Sequence, residues 1–173
     1  MTAEIDDAST PSGDGTRWLT TTEMQAWLKV WSFHSWLPSR LDAQLRQDFG
    51  ISHYDYFALA QISMSPGRRL RMSSLAELSD MTLSHLSRVI TRLEKTGYVL
   101  RCPDPADGRS TNVELTQAGW DFVRAAAPTH VATVRRLVFD QLDADDVADL
   151  NRVMGKIVRA MNTPRLPEGP AGR

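Results

Sequence analysis

"TRLEKTGYVLRCPDPADGRSTNVELTQAG", residues 91–119, decides the fold class. Its first residues end a helix, and Gly97 offers the left-handed conformation that follows a last helical turn. "YVLRC" (98–102) and "NVEL" (112–115) have strand composition, and the ten or so residues between them include the turn formers Pro103, Pro105, Asp107 and Gly108. The two runs are expected to pair as a hairpin. Thr116 then caps a further helix, in which Trp120, Val123 and Ala127 pack before Pro128.

Upstream, Thr82 is a candidate N-cap for "LSHLSRVITRLEKTG" (83–97), because its hydroxyl can accept an amide of the first turn. Leu83, Leu86, Val89, Ile90 and Leu93 fall on one stripe and form its core face. The opposite face carries Ser84, His85, Ser87, Arg88, Thr91, Arg92 and Lys95. Ser74, three residues before Glu77, predicts a capping box for a brief helix carrying Leu75, Ala76 and Leu78, preceded by a short extended "RLRM". Two helices joined by the three or four residues around "SDM", followed by a hairpin, make a winged helix-turn-helix.

The flanks are helical as well. A first helix starts at one of Thr20 to Thr22. It carries Met24, Trp27, Leu28, Trp31 and Ser35 on one side and Leu37, Leu41 and Leu45 beyond Pro38, which is expected to kink or break it. It ends near Gly50. Ser52 or His53 opens the next helix, with Tyr56, Leu59, Ala60 and Ile62 facing a core, and "SPG" at 65–67 stops it. The last helix begins with Asp143 as cap, and Val147, Leu150, Val153, Met154, Ile157, Val158 and Met161 give it an apolar face that one small lobe cannot cover. A second chain would cover it.

The expected class is therefore mainly α, with a two-stranded β-wing and N- and C-terminal dimerisation helices. Residues 1–17 and 163–173 are too poor in apolar side chains to offset chain entropy and are expected to be disordered tails. Residues 18–162 form a single domain, with dimerisation helices at 18–49 and 129–162 and the winged helix-turn-helix at 52–127.

Composition agrees with a globular chain: 173 residues, 42% of them hydrophobic, suffice for one ordinary core. No membrane-length apolar run occurs, and the acidic opening lacks the basic start and apolar run of a secretory signal, so a cytoplasmic location is expected. With Cys102 as the single cysteine, no intramolecular disulfide and no multi-cysteine metal cage can form within one chain. His34, His53, His85 and His130 lack close metal-ligand spacing, and neither a metal nor a cofactor is expected. No nucleophile with a base and orienting partner, and no phosphate-cradling Gly loop, points to catalysis.

The net charge of −1 hides a local asymmetry. Between Arg68 and Thr111 stand eight basic and five acidic residues, an excess of three positive charges between acidic flanks.

"MTLSHLSRVITRLEKTGYV" (81–99), "RCPDPADGRS" (101–110) with Asp107-x-Arg109, and "VELTQAGWD" (113–121) with Leu-Thr-x-x-Gly resemble the recognition helix, wing and return of the MarR family of bacterial transcriptional regulators. The similarity runs from about Ser52 to Val123. It implies a helical homodimer of winged lobes whose terminal helices intertwine, acting on a double-stranded DNA operator. The expected division of contacts follows from chemistry. Ser84, His85, Ser87 and Arg88 enter the major groove, with Arg88 set for a two-pronged guanine contact. Ser73, Ser74, Thr82 and Arg92 hold phosphates, and Arg109 anchors the wing with Asp107 holding its guanidinium planar. The resemblance also implies a cavity for a small aromatic or phenolic effector, lined by Trp27, Trp31 and His34; such aromatics equally serve as core and interface filler. Cys102 beside Arg101 has the surroundings of an oxidant sensor, although a half-buried strand cysteine is usually inert. The competing reading is a winged helix that docks an acidic protein partner without DNA.

Overall fold

In a computed structural model of the chain, residues 15–104 and 107–161 are described. The expected tails lie largely outside those residues; 15–17 carry no regular structure. The chain divides into two compact units, one reaching Arg40 and one from Leu41 onward.

Helix α1 spans Thr21–Phe49. Thr20 starts it: the Glu23 amide donates to the Thr20 hydroxyl at 3.1 Å, while the Thr20 amide donates to the Glu23 carboxylate at 2.8 Å. The helical assignment runs unbroken through Pro38, so the expected break does not occur. A proline removes one backbone donor, but the turns on either side keep theirs, and the Ser39 hydroxyl donates to the Trp36 carbonyl at 2.9 Å. Up to Arg40 the aromatic side chains of this helix are exposed.

From Leu41 onward the sequence builds a winged helix. Helix α2 (His53–Met64) begins with a reciprocal capping box between Ser52 and Asp55. A turn containing Pro66 and Gly67 leads to β1 (Arg69–Arg71) and then α3 (Met72–Leu78). The Ser74–Glu77 capping box is absent: α3 starts three residues earlier, with Arg71 at the cap position and no side-chain cap. The pairing of β1 ends at Arg71, opposite Asn112, and the chain turns straight into the helix, which leaves Ser74 inside its first turns.

Helix α4 (Leu83–Lys95) is capped by Thr82 as expected and stopped by Thr96 and Gly97, whose φ is 77°. Leu86, Val89, Ile90 and Leu93 are buried; Leu83 is 57% exposed, contrary to its place in the expected core stripe. It occupies the first helical position, one turn before the stripe reaches the core.

Strands β2 (Val99–Asp104) and β3 (Asp107–Leu115) form the wing, antiparallel, with Val99 opposite Leu115 and Cys102 opposite Asn112. Most of the loop expected between them is strand. Pro103 pairs with Thr111, which an edge strand tolerates because no ladder donor is required of it on the open side, and the register shifts at Pro103/Asp104. The sheet has three strands in the order β1-β3-β2, one more than expected, with Leu70 opposite Val113.

Helix α5 (Gln117–Leu137) is capped by Thr116 and runs through Pro128, so the boundary expected at 127–129 falls inside one helix. It buries Val123 and Ala126, with Ala127 only partly covered. Gly119 is required by close approach: a Cβ there would strike the Tyr98 carbonyl oxygen and the Leu115 side chain. Helix α6 (Ala144–Ala160), with its Asp143–Asp146 capping box, buries no residue. The main core joins Leu59, Ile62, Leu75, Leu86, Val89, Ile90, Leu93, Val99 and Val113. It fixes α4 and the wing on one scaffold.

Candidate nucleic-acid interface

Local chemistry sets α4 first. The His85 amide donates to the Thr82 hydroxyl at 3.2 Å, and Asp80 takes a positive φ of 50° to turn the chain between α3 and α4. Met81 tucks into the core at the turn, its amide donating to the Ala76 carbonyl at 3.0 Å. The helix therefore buries one stripe and turns Ser84, Ser87, Arg88, Thr91, Arg92 and Lys95 outward.

The basic excess of this segment is largely spent on ion pairs. Arg69 pairs with Glu114 at 2.6 Å, Arg71 with Asp104 at 2.6 Å, and Arg92 with Asp55 at 2.7 Å; Arg101 pairs with Glu94, and Arg68 lies 3.9 Å from the Trp120 ring centroid. Among the described residues of this segment, Arg88 and Lys95 are the cations with neither an ion pair nor a ring contact, and both are on the outward face of α4. An anionic partner meeting this face would meet those two charges first.

Two of these pairs brace the wing. Arg101 on β2 reaches α4, where its guanidinium donates to the Ser87 carbonyl at 3.0 Å and the Thr91 hydroxyl at 3.2 Å. Its backbone amide donates to the Glu94 carboxylate at 3.1 Å. On the other side Arg71, at the end of β1, holds Asp104, whose side chain is only 7% exposed. Arg101 thus ties β2 to α4, and the Arg71–Asp104 pair ties β1 to the far end of β2. Leaving either carboxylate unpartnered would be costly.

The expected site residues are placed as follows. Ser73 is exposed on α3, while Ser74 is half-buried. The Thr82 hydroxyl serves the cap, and Ser84 and Arg88 are open. His85 is half-buried, its ring edge-on to Tyr54 at 5.2 Å. The Ser87 hydroxyl accepts from Arg101 at 3.3 Å, and Arg92 answers to Asp55 before any outside group. Asp107 is exposed on β3 and accepts the Ser110 hydroxyl at 2.7 Å; the Arg109 side chain is outside the described residues. All of these belong to the unit from Leu41 onward. Trp27, Trp31 and His34 belong to the other unit, exposed in a row with ring centroids 5.8 and 6.1 Å apart.

Sequence reasoning missed the bracing role of Arg101, the anchoring role of Asp55 and the exposure of Leu83. The one local signal was Leu83's position directly after a cap, where a side chain lies outside the following turn.

Cys102 is half-buried, with its sulfur 3.9 Å from the Asn112 carbonyl and 4.0 Å from the Glu114 carboxylate. Behind the outward face, burial lowers the pKa of His53, and burial together with the nearby His53 charge lowers that of His130. Among the described residues no group of three or more His, Cys, Asp or Glu is placed to hold a metal ion, and no helix is long and apolar enough to cross a membrane.

Comparison with known proteins follows the same lines. The model of the MarR family matches residues 51–111. The crystal structure of Sco3205, a MarR family transcriptional regulator from Streptomyces coelicolor in complex with DNA, is 37% identical. It superposes with a TM-score of 0.80 over 90% of this chain and 98% of that one. AbsC, a MarR family transcriptional regulator from the same organism, is also 37% identical, with a TM-score of 0.79 over 85% of this chain and 99% of that one. The HTH-type transcriptional regulator PapX of Escherichia coli is 32% identical over 76 residues, which span 44% of this chain and 46% of PapX.

Proposed function

The chain belongs to the MarR family of transcriptional regulators, and from that premise we propose that it binds a pseudo-palindromic DNA operator as a homodimer and represses transcription until an effector releases it. The observation that carries the DNA reading is the exposed Arg88, unpaired on the outward face of α4 while Arg68, Arg69, Arg71, Arg92 and Arg101 are engaged within the lobe. A guanidinium kept open at the middle of such a helix suits the paired acceptors of a guanine edge. Ser84, exposed one turn earlier, adds a donor and acceptor near the helix start, and Ser73 and Thr82 lie where a phosphate would pass.

The dimer reading rests on α6, whose Val147, Leu150, Val153, Met154 and Ile157 are all exposed at helical spacing. A second copy covers such a face and sets two α4 helices about 34 Å apart, one turn of duplex. Trp27, Trp31 and His34 present an aromatic row to a phenolic effector. This reading puts the protein's work in the cytoplasm.

The test is selection of bound duplexes from a random library by the purified chain, followed by affinities across a salt series and sedimentation at micromolar concentration. Enrichment of an inverted repeat, a steep salt dependence and a stable dimer are expected; replacing Arg109 by Ala should lower the salt slope by about one. Enrichment of no sequence, with binding instead to acidic protein partners, overturns it. Tryptophan fluorescence and operator affinity that both ignore a panel of phenols overturn the effector.

A further inference from the structure

Leu83 is the one large apolar side chain exposed on α4 among the described residues, at 57% of its surface. Three open grooves meet at it: one toward Ser73 and Thr82, one toward Arg101 and Thr111 of the wing, and one along Ser87 and Arg88. Its neighbours on the outward face are serines, a threonine and arginines. The fold does not need it there, since the core stripe of α4 begins a turn later at Leu86.

We propose that Leu83 is a specificity-determining residue that packs on the C5-methyl group of a thymine in the major groove. This role rests on the DNA-binding reading above. N-terminal residues of a helix seated in the major groove meet base edges, and those edges offer donors and acceptors at every base but an apolar group only at thymine. An isobutyl side chain pressed on any other edge would strip water from a polar atom without replacing its hydrogen bond. Leu83 therefore favours thymine both by the contact it makes and by the cost of the alternatives. Arg88, five residues further along the helix, lines the same groove as Leu83, so the two side chains offer an apolar and a cationic reader to one stretch of duplex.

The test uses the full chain and the duplex recovered from the random library, with each thymine of one half-site replaced in turn by deoxyuridine, which lacks only the methyl group. Wild type is expected to lose affinity about fourfold at one thymine, the equivalent of one methyl-sized group left in water. Leu83→Ala should bind the thymine and uracil versions of that position equally, while Leu83→Met, which keeps the apolar reach, should retain the preference. A wild type indifferent to every replacement, or a Leu83→Ala variant that keeps the same sensitivity, overturns the inference and leaves DNA binding standing. Failure of wild type to enrich any duplex overturns both.

Discussion

Arg92 on α4 donates to the Asp55 carboxylate at 2.7 Å, and that same carboxylate closes the capping box at the start of α2. One acidic side chain, 10% exposed, thereby holds two helices, while its arginine partner is 53% exposed. Asp55→Ala removes a cap and leaves Arg92 without its anchor; it should lower the unfolding free energy by about 2 kcal/mol in urea titrations. Arg92→Met is expected to cost about as much, because it leaves the poorly hydrated Asp55 carboxylate without its cation while the capping bonds remain. If neither variant moved the urea midpoint, the pair would be ornamental.

Arg88 is predicted to behave in the opposite way. With no internal partner, Arg88→Ala should leave the urea midpoint within about 0.5 kcal/mol of wild type. Affinity for the preferred duplex should fall by about 1 to 3 kcal/mol, and discrimination should relax at a single base pair. Uniform loss across all sequences would instead make Arg88 a phosphate contact.

Gly119 carries a purely steric prediction. A methyl group there meets the Tyr98 carbonyl and the Leu115 side chain where α5 leaves the wing. Gly119→Ala should destabilise the fold by about 2 kcal/mol, through displacement of backbone that cannot easily give way. Thermal unfolding of the variant checks it, and an unchanged midpoint would mean that the helix start shifts freely.

The pH dependence follows from His53 and His130. Burial, above all, lowers both from the ordinary 6.5, so the unfolded chain binds more protons than the folded one once the pH falls below that value. Stability should be fully present above about pH 6.5 and decline as the pH falls toward the lowered folded values. Burial of Asp42 opposes its ionisation, but the His53 amide and the Arg46 guanidinium outweigh it. Its carboxyl is held below 3.8, and its loss belongs to a more acidic window. Unfolding midpoints measured from pH 7.5 to 5 should slope downward in wild type and flatten in a His53→Gln, His130→Gln double variant. A slope unchanged by the double variant would assign it to other groups.

What the sequence settled by itself is what neighbours a few residues apart can settle. Ser52, Thr82, Thr116 and Asp143 each start a helix because a side-chain oxygen meets an amide three residues on, a bond available before any tertiary structure exists. The strand-forming runs of the wing and the left-handed Gly97 are local in the same sense, as is the motif that carries the family resemblance.

The tertiary structure decided which of those local preferences prevailed. Pro38 and Pro128 stay inside helices, and Pro103 sits in an edge strand whose open side asks no donor of it. It also decided which cations remain available. Arg92 finds Asp55 across 37 residues and Arg69 finds Glu114 across 45; with Arg71 and Arg101, four arginines are ion-paired within the lobe and Arg88 is left open. Partner choice over such distances depends on where the folded core places each carboxylate, and helical spacing alone contains no such information.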